Sequence, residues 1–399
     1  MNPLEKLKRA FVTGTLIERC IKKLDIIIGI VSKKICYSHG KIQKNKIFIM
    51  TYDNKYSCNP RYINEEIVRR DLPYDVVWAV TGNPAAHKGE FPPNVRLVQR
   101  SSYEMLQEMA SAKIWIDNAL NCVWDDMPKK KEQIYINTWH GSMGIKRLHG
   151  NEKWMEKASR CDRVTNYCVA NSTFEENVYR STFWPNVEIL RFGHARNDIL
   201  FNKEAREKIR KRVYQYFDVE PSSKLFLYAP TFRDDGTTPF SSIDFCALKK
   251  ALEMRFQCDV CILVRLHFKN SKSTIFSSET AEWMRNATFY PDMQELLVAA
   301  DMGLTDYSSW AYDFVLTKRP LFLYAPDIAD YDQDRGFYYP LESTPFPLAH
   351  NNQELTDCIL QFNAEIYSKD VERFLQERGC YEEGQASKRI VDKLEEIMK

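Results

Sequence analysis

Short runs of apolar and β-branched residues alternate with helical segments along most of this chain, and this alternation constrains the fold more than any other feature. A first series of predicted strands runs from 46–51 to 187–192, and a second series runs from 225–229 to 321–324. Strands that are apolar throughout and separated by helices are typical of parallel sheets covered on both faces. The sequence therefore predicts an α/β fold with two doubly wound, Rossmann-like domains.

The length of 399 residues also favours two domains, because a single hydrophobic core rarely grows beyond about 250–300 residues. We predict a basic amphipathic segment at 1–45, a first domain at 46–200, a second domain at 201–369 and a helical segment at 370–399. The formal net charge of +2 gives no reason to expect a nucleic acid partner. Eleven cysteines, an odd number, and the lack of a recognisable signal peptide favour a reducing compartment with free thiols.

The first 46 residues carry eleven basic and three acidic side chains, an excess of eight positive charges. Apolar residues between Leu16 and Ile35 recur at helical spacing, with lysines on the other side. The apolar stretch is too short and interrupted to span a bilayer, but an interfacial helix on an anionic membrane surface fits the pattern. The alternative is a helix that packs on its own domain or on another subunit.

Polar and charged side chains stand where four predicted strands end. His140 follows the predicted strand 134–138, and Arg233 follows the strand 225–229. His267 comes directly after the strand 260–266, and Ser308 and Ser309 follow the strand 302–305. Ligands of doubly wound folds bind outside the carboxyl ends of the strands, and a helix start after two serines is a natural phosphate site. Each residue alone has a structural alternative: a core histidine, a surface ion pair of Arg233, or simple helix capping. Together they predict a cleft for an anionic ligand.

Several motifs of nucleotide-binding proteins are absent from the sequence. It contains no GxxxxGK[ST], which argues against a P-loop nucleotidase, and no GxGxxG, which argues against a dinucleotide oxidoreductase. Asp332-Gln333-Asp334 is a tripeptide of the kind that holds a divalent ion such as Mg²⁺ in some nucleotide-sugar transferases. Short acidic triplets also arise by chance, so we expect no metal site and no required cofactor.

Six short segments, in this order, resemble the CDP-glycerol glycerophosphotransferase family, whose members include polyol-phosphate transferases of teichoic acid and capsule synthesis. The resemblance covers about 46–360. The segments are specific jointly and weak singly. They are Trp139-His140-Gly141, Gly193-His194-Ala195-Arg196-Asn197-Asp198, Tyr228-Ala229-Pro230-Thr231-Phe232-Arg233-Asp234, Arg265-Leu266-His267, Thr305-Asp306-Tyr307-Ser308-Ser309 and Arg335-Gly336-Phe337-Tyr338.

The resemblance implies a GT-B-like arrangement, with an acceptor-side first domain and a CDP-polyol donor domain facing each other across a cleft. It implies transfer of a polyol phosphate, glycerol phosphate first, from CDP-glycerol or CDP-ribitol to an acceptor hydroxyl, with release of CMP. His140 would be the base that acts on the acceptor. His267 and Arg233 would hold the donor pyrophosphate, and Ser308 and Ser309 would bind donor phosphate.

The acceptor side departs from the family pattern. Members commonly carry a Thr-Pro-Leu-Lys-like run after the histidine motif, whereas this chain has Ser142-Met143-Gly144-Ile145-Lys146. Gly141, Ser142 and Lys146 are therefore the candidate acceptor-side residues. Arg335 is a candidate supporting residue, and Asp306, which cannot favourably face a phosphate, is expected to accept backbone N–H groups.

The family resemblance also implies peripheral attachment to the cytoplasmic face of the cell membrane and a lipid-linked or polymer acceptor. The sequence leaves open which polyol is used, which acceptor is extended, how many units are added and which oligomer forms. The nearest alternative is a GT-B glycosyltransferase that uses a nucleotide-sugar. A second alternative, from another functional class, is a non-catalytic membrane scaffold with an inactive cleft.

Overall fold

The computed structural model describes residues 16–124, 127–142, 144–148, 152–231, 242–266, 280, 282–329 and 336–399. Two parallel sheets divide this part of the chain into two α/β domains, as the alternating pattern predicts. The first sheet has seven strands in the order β3-β2-β1-β4-β5-β6-β7. Its strands are β1 Gln43–Met50, β2 Asp75–Val80, β3 Val95–Gln99, β4 Ala112–Asp117, β5 Ile134–Asn137, β6 Tyr167–Val169 and β7 Glu188–Leu190.

The second sheet has six strands in the order β10-β9-β8-β11-β12-β13, and its pairs are again parallel. Its strands are β8 Lys224–Tyr228, β9 Val260–Val264, β10 Met284–Asn286, β11 Met302–Thr305, β12 Leu321–Tyr324 and β13 Leu348–Ala349. The short edge strands β10 and β13 were not predicted from the sequence. Each has only two or three residues, so the apolar run that marks a strand is too short to recognise.

Helices cover both sheets, and most begin where the sequence indicates. The described helices are α1 Leu16–His39, α2 Cys58–Arg69, α3 Tyr103–Ser111, α4 Asn121–Trp124, α5 Glu152–Val164, α6 Thr173–Thr182, α7 Asp198–Phe201, α8 Lys203–Phe217, α9 Phe245–Phe256, α10 Met293–Ala299, α11 Ala311–Phe314, α12 Asn352–Leu360, α13 Ala364–Glu377 and α14 Ala386–Met398. Side-chain caps set several starts, for example at α6, where the Ser172 hydroxyl accepts the N–H of Glu175.

The predicted boundaries at 45/46 and at 369/370 fall inside β1 and inside α13. The helical segment that was predicted as one unit in fact serves both domains. Tyr367, Val371 and Phe374 of α13 join the core of the second domain. Ile390 and Leu394 of α14 join the core of the first domain, so the chain returns to the domain in which it began.

In both sheets the chain order reverses next to a central strand. In the first sheet β1 lies beside β4, and in the second sheet β8 lies beside β11. A crevice opens at such a switch point because the loops on its two sides lead away in opposite directions. The loops that follow β1, β4 and β5 of the first domain and β8 and β11 of the second are therefore the places to look for a site.

Helix α1 confirms the helical part of the N-terminal prediction. Its last turns pack beside α3, where Cys36 is buried, but a broad apolar surface of α1 is uncovered. The exposed side chains are Leu24, Ile26, Ile27, Ile28, Ile30, Val31, Ile35 and Tyr37. None of the helices in the described part of the chain is long and apolar enough to cross a bilayer.

Candidate active site

His140 lies in a tight turn directly after β5. Trp139 adopts a left-handed backbone conformation with a φ of 47°, and its N–H is held by the side-chain oxygen of Asn137 at 2.8 Å. The Asn59 amide donates to the carbonyl oxygens of Thr138 and Trp139 at 2.8 and 3.0 Å. This turn is thereby stabilised from two sides, and it directs His140 away from the core.

The imidazole of His140 is held as a neutral base. Its Nδ1 lies 2.6 Å from the carbonyl oxygen of Asn118, so Nδ1 carries the proton and donates it, which leaves the lone pair on Nε2. The Tyr52 ring stacks on the imidazole at a centroid distance of 4.7 Å. The pKa of His140 is lowered to about 4, mainly by burial and in part by the nearby Arg196 and His194, against the opposing effect of the Asn118 bond. Near neutral pH, Nε2 can therefore accept a proton.

The serine-rich turn after β11 differs from the prediction in one respect. The helix that follows, α11, has a single turn of four residues, and its N-cap is Trp310, without a side-chain capping bond, rather than Ser308 or Ser309. Both serines are half-buried, and their carbonyl oxygens accept the N–H groups of Ala311 and Tyr312. A dipole from so short a helix is weak, so a phosphate here would depend mainly on the hydroxyl and N–H donors of the turn.

Asp306 connects this turn, which follows β11, to the end of the adjacent strand β8. Its carboxylate accepts the N–H of Thr231, after β8, at 2.8 Å and the N–H of Tyr307 at 2.6 Å. Asp306 is almost fully buried. These bonds agree with the structural role expected for this residue.

One cavity of about 280 Å³ joins the two domains beside His140. A methyl group placed on Gly144 would lie 3.6 Å from the Cβ of Ser309, so the two strand-end loops nearly touch. The cavity is lined by Trp139, His140, Gly141, Ser142, Gly144, Lys146, Arg147, Leu148, Phe174, Glu175, Val178, Tyr179, Ser309 and Tyr338. It therefore brings together five of the residues that the sequence singled out, with Ser308 next to them in the chain.

The predicted Arg233, His267 and Arg335, and the candidate metal tripeptide at 332–334, lie outside the described residues. Residues shortly before Arg233 and His267 are described, and their hydrogen bonds lie within the second domain. Arg265 donates to the carbonyl oxygens of Ala287 and Tyr290, and burial lowers its pKa while Tyr52 raises it. In the described part of the chain no cluster of three or more histidine, cysteine or acidic side chains is arranged to hold a metal ion.

A buried ion pair that was not predicted connects the two halves of the site. Arg196 and Asp313 are each less than 5% exposed, and their side chains meet in a two-pronged contact of 3.0 and 3.1 Å. Arg196 also donates to the carbonyl oxygen of Gly141, next to His140, and its own N–H is held by Asn59. A single guanidinium thus joins the histidine turn of one domain to the helix after Ser309 in the other.

Further buried polar groups surround this pair. Asn197 donates to Asp313 at 3.0 Å and to Glu382 at 2.8 Å, and Gln294 donates to both Asn197 and Asp313. Burial raises the pKa of Glu382 to about 7, although the nearby His194 lowers it. The sequence carries two signals for this network: Arg196 and Asn197 lie in a segment that bears the family resemblance, and Asp313 is an acidic residue within the apolar segment that follows the serines.

Two other contacts link the domains close to the cavity. The backbone after Gly144 pairs with the segment after residue 335: Arg147 donates to the Gly336 carbonyl at 3.0 Å, and Tyr338 donates to the Ile145 carbonyl at 2.8 Å. Farther away, Arg61 of α2 binds Asp292 at 2.5 Å. The relative position of His140 and Ser309 is therefore set by several independent contacts.

Comparison with known proteins is consistent with this architecture. The profile of the family described as CDP-glycerol:poly(glycerophosphate) glycerophosphotransferase matches residues 33–396. The teichoic acid poly(glycerol phosphate) polymerase of Bacillus spizizenii is 29% identical over 385 residues, which are 89% of this chain and 93% of that protein. The teichoic acid glycerol-phosphate transferase of Staphylococcus aureus is 28% identical over 370 residues, 87% and 92% of the two chains.

The solved wall teichoic acid polymerase TagF superimposes with a TM-score of 0.82 at 25% identity, over 100% of this chain and 99% of that one. This likeness confirms the predicted GT-B-like fold. This chain is shorter than some relatives, since it spans 51% of the teichoic acid poly(glycerol phosphate) polymerase of Staphylococcus epidermidis.

Replacing Asp313 tests the ion pair between the domains. Burial alone would raise the pKa of Asp313, but Arg196 lowers it more, so the ionised carboxylate stabilises the fold above about pH 4 and loses this effect as the pH falls through its lowered pKa. We expect Asp313→Asn to lose about 3–5 kcal/mol of unfolding free energy at pH 7, because it leaves a buried guanidinium unpaired. Thermal unfolding of both proteins should show that the difference in unfolding free energy between wild type and variant becomes smaller below about pH 4. A constant deficit from pH 7 to 3 would contradict this assignment.

Proposed function

This chain belongs to the CDP-glycerol:poly(glycerophosphate) glycerophosphotransferase family, and from that membership we propose that it transfers glycerol phosphate from CDP-glycerol to a hydroxyl of a teichoic-acid-like acceptor, releasing CMP. The observation that carries this proposal is the cavity in which the neutral His140 of one domain lies across from Ser309 of the other. Phosphoryl transfer needs a nucleophile and a phosphate held in line, with donors that neutralise the developing charge.

In this proposal Nε2 of His140 takes the proton of the acceptor hydroxyl. The acceptor oxygen forms a bond to the glycerol-bearing phosphorus while the bond from that phosphorus to the bridging oxygen breaks, and CMP leaves with the electron pair. The bond from Nδ1 to Asn118 suits this role, because it leaves the lone pair on Nε2 and stabilises the imidazolium that forms. The lowered pKa keeps the base unprotonated near neutral pH.

Donor binding is assigned to the second domain. Ser308 and Ser309 would donate to the donor phosphates from the turn after β11, and Arg233 and His267, which follow β8 and β9 in the sequence, would add positive charge. The positive charge of these side chains would offset the negative charge of the donor phosphates, which a divalent ion does in other phosphoryl transferases. The proposal therefore requires no metal cofactor.

Acceptor binding is assigned to the part of the cavity formed by the first domain. Gly141, Ser142 and Lys146 line it, and the Ser142 hydroxyl is held at 2.9 Å by the Asn171 amide. Lys146 would contact the phosphates of a polymer or lipid-linked acceptor, whose backbone is anionic. The altered run 142–147 makes this part of the cavity the place where this chain would differ from its relatives in the acceptor it takes.

A donor panel tests the proposed reaction. The purified protein should release CMP from CDP-glycerol in the presence of a glycerol-phosphate-primed acceptor, and release should be much slower without that acceptor. CDP-ribitol, UDP-sugars and GDP-sugars serve as matched donors. Turnover of a nucleotide-sugar in place of CDP-glycerol would instead establish the glycosyltransferase alternative, and CMP release independent of acceptor would indicate a hydrolase.

Removal of the base should lower turnover and spare donor binding. We expect His140→Ala to reduce kcat about 10²–10⁴-fold, the usual contribution of a general base, with a nearly unchanged Kd for CDP-glycerol by calorimetry. Because His140 must be unprotonated, kcat of the wild type should fall only as the pH drops toward about 4. Near-normal kcat in a folded His140→Ala protein would remove His140 from the mechanism.

We further propose that α1 attaches the protein to the cytoplasmic face of the membrane as a peripheral protein. The uncovered side chains of α1 form an apolar surface beside lysines, which is the composition of helices that lie in an anionic lipid interface. Packing on its own domain does not account for this surface, because Leu24, Ile27 and Val31 are each about half exposed or more. A lipid-linked acceptor would then be reached at the same membrane.

Vesicle sedimentation tests this attachment. Val31→Asp should weaken binding to phosphatidylglycerol vesicles about tenfold, because it buries less apolar area and adds a negative charge near anionic lipid. Val68→Asp is the matched control, since Val68 of α2 is exposed to a similar extent, 50% against 48% for Val31. Equal vesicle binding by both variants would contradict attachment through α1. Loss of a dimer in light scattering by Val31→Asp would show instead that α1 contacts a second copy.

A further inference from the structure

We propose that Tyr52 is a positioning residue for the base, and that its ring holds the His140 imidazole in the orientation in which Nε2 faces the acceptor hydroxyl. The two rings are nearly parallel, with centroids 4.7 Å apart and an interplanar angle of 25°. This inference rests on the proposed function, because it assumes that His140 is the base. Neither the family resemblance nor the sequence pattern pointed to Tyr52.

The sheet topology explains how these rings come together. Tyr52 follows β1, Asn118 follows β4 and His140 follows β5, and these three strands are adjacent in the first sheet. The carboxyl ends of adjacent parallel strands lie side by side, so the three residues meet at the switch point of the domain. Their contact is therefore a consequence of the fold rather than of neighbourhood in the sequence.

Asn118 fixes both aromatic partners at once. Its side-chain oxygen accepts the backbone N–H of Tyr52 at 2.8 Å, and its carbonyl oxygen accepts Nδ1–H of His140 at 2.6 Å. Asn118 itself is fully buried and so is a rigid reference point. The hydrogen bond sets the tautomer and holds Nδ1 in place. The stacked Tyr52 ring restricts rotation of the imidazole about the line of that hydrogen bond.

The exposure of Tyr52 argues against a purely structural role. Tyr52 is 52% exposed as a residue, whereas the tyrosines of the core, such as Tyr135 and Tyr179, are at most 1% exposed. A half-exposed ring contributes little to core packing, but it can shield one face of the imidazole from water. Tyr52 also lies close enough to Arg265 of the second domain to influence its pKa, which places the ring at the junction of the two domains.

Loss of the ring should therefore change the chemistry of His140 without unfolding the protein. The charged groups that act on His140 are Arg196 and His194, which both disfavour its protonation and are untouched by a change at Tyr52. Greater access of water to the imidazole would favour the protonated form and raise its pKa. It would also let the ring rotate away from the productive orientation.

The test compares Tyr52→Ala, Tyr52→Phe and the wild type, with Tyr216→Ala as a matched control. Tyr216 is 60% exposed and contacts the Tyr290 ring at 5.0 Å, away from the cavity. ¹⁵N-histidine spectra, with the His140 signals assigned through His140→Gln, report the tautomer and the pKa. Kinetics of CMP release from CDP-glycerol report kcat and KM separately.

We expect Tyr52→Ala to populate both tautomers of His140 at pH 7, to raise its pKa by about one unit and to lower kcat about tenfold. KM for CDP-glycerol should stay within about twofold, since the donor is bound by the other domain. Tyr52→Phe keeps the ring and should restore most of the lost kcat. Tyr216→Ala should behave as the wild type does in every measurement.

Unchanged His140 signals and unchanged kcat in Tyr52→Ala would overturn the inference. A loss of kcat in Tyr52→Phe equal to that in Tyr52→Ala would also overturn it, because the hydroxyl rather than the ring would then be required. A wild type that releases no CMP from CDP-glycerol would refute the proposed function instead. The spectra would still decide in that case whether Tyr52 holds the imidazole.

Discussion

The candidate site depends on the buried contact between Arg196 and Asp313. Removing two charges from water is costly, and this cost is offset only if they meet each other in good geometry and their remaining donors and acceptors are satisfied. Here Asn197, Gln294 and the Gly141 carbonyl supply those partners. Since the partners come from both domains, the ion pair is complete only when the histidine turn and the segment after the serines lie together.

The same enclosure determines the chemical state of the site. A histidine placed beside a guanidinium and shielded from water is disfavoured as a cation, so His140 is neutral where an exposed histidine would be partly protonated. Its hydrogen bond to a backbone carbonyl then leaves the lone pair on Nε2, and His140 lines the cavity. The arrangement is that of a proton acceptor, and the neighbouring turn with Ser309 offers donors to an anionic group.

Much of the fold could be predicted because its signals are local. Apolar runs such as that of β9 are recognisable wherever a parallel strand is buried on both faces, and capped helices such as α6 begin at a serine. Edge strand β13 was not predicted because a strand of two residues is too short to show a periodic pattern of apolar side chains. The N-cap of α11 is Trp310 rather than one of the serines that usually occupy this position, because Ser308 and Ser309 form a preceding turn through their carbonyl oxygens.

For the site, the sequence alone predicted which strand ends carry the candidate site residues, because a histidine, serines and glycines directly after apolar runs can be read along one chain. It also determined the family, because the six motifs occur in the expected order. Only the tertiary structure decided that Arg196 reaches Asp313, that Asn118 orients His140 and that α14 returns to the first domain. Those contacts join residues far apart in sequence, and the order of strands in the sheets, which no local pattern encodes, brings them into reach.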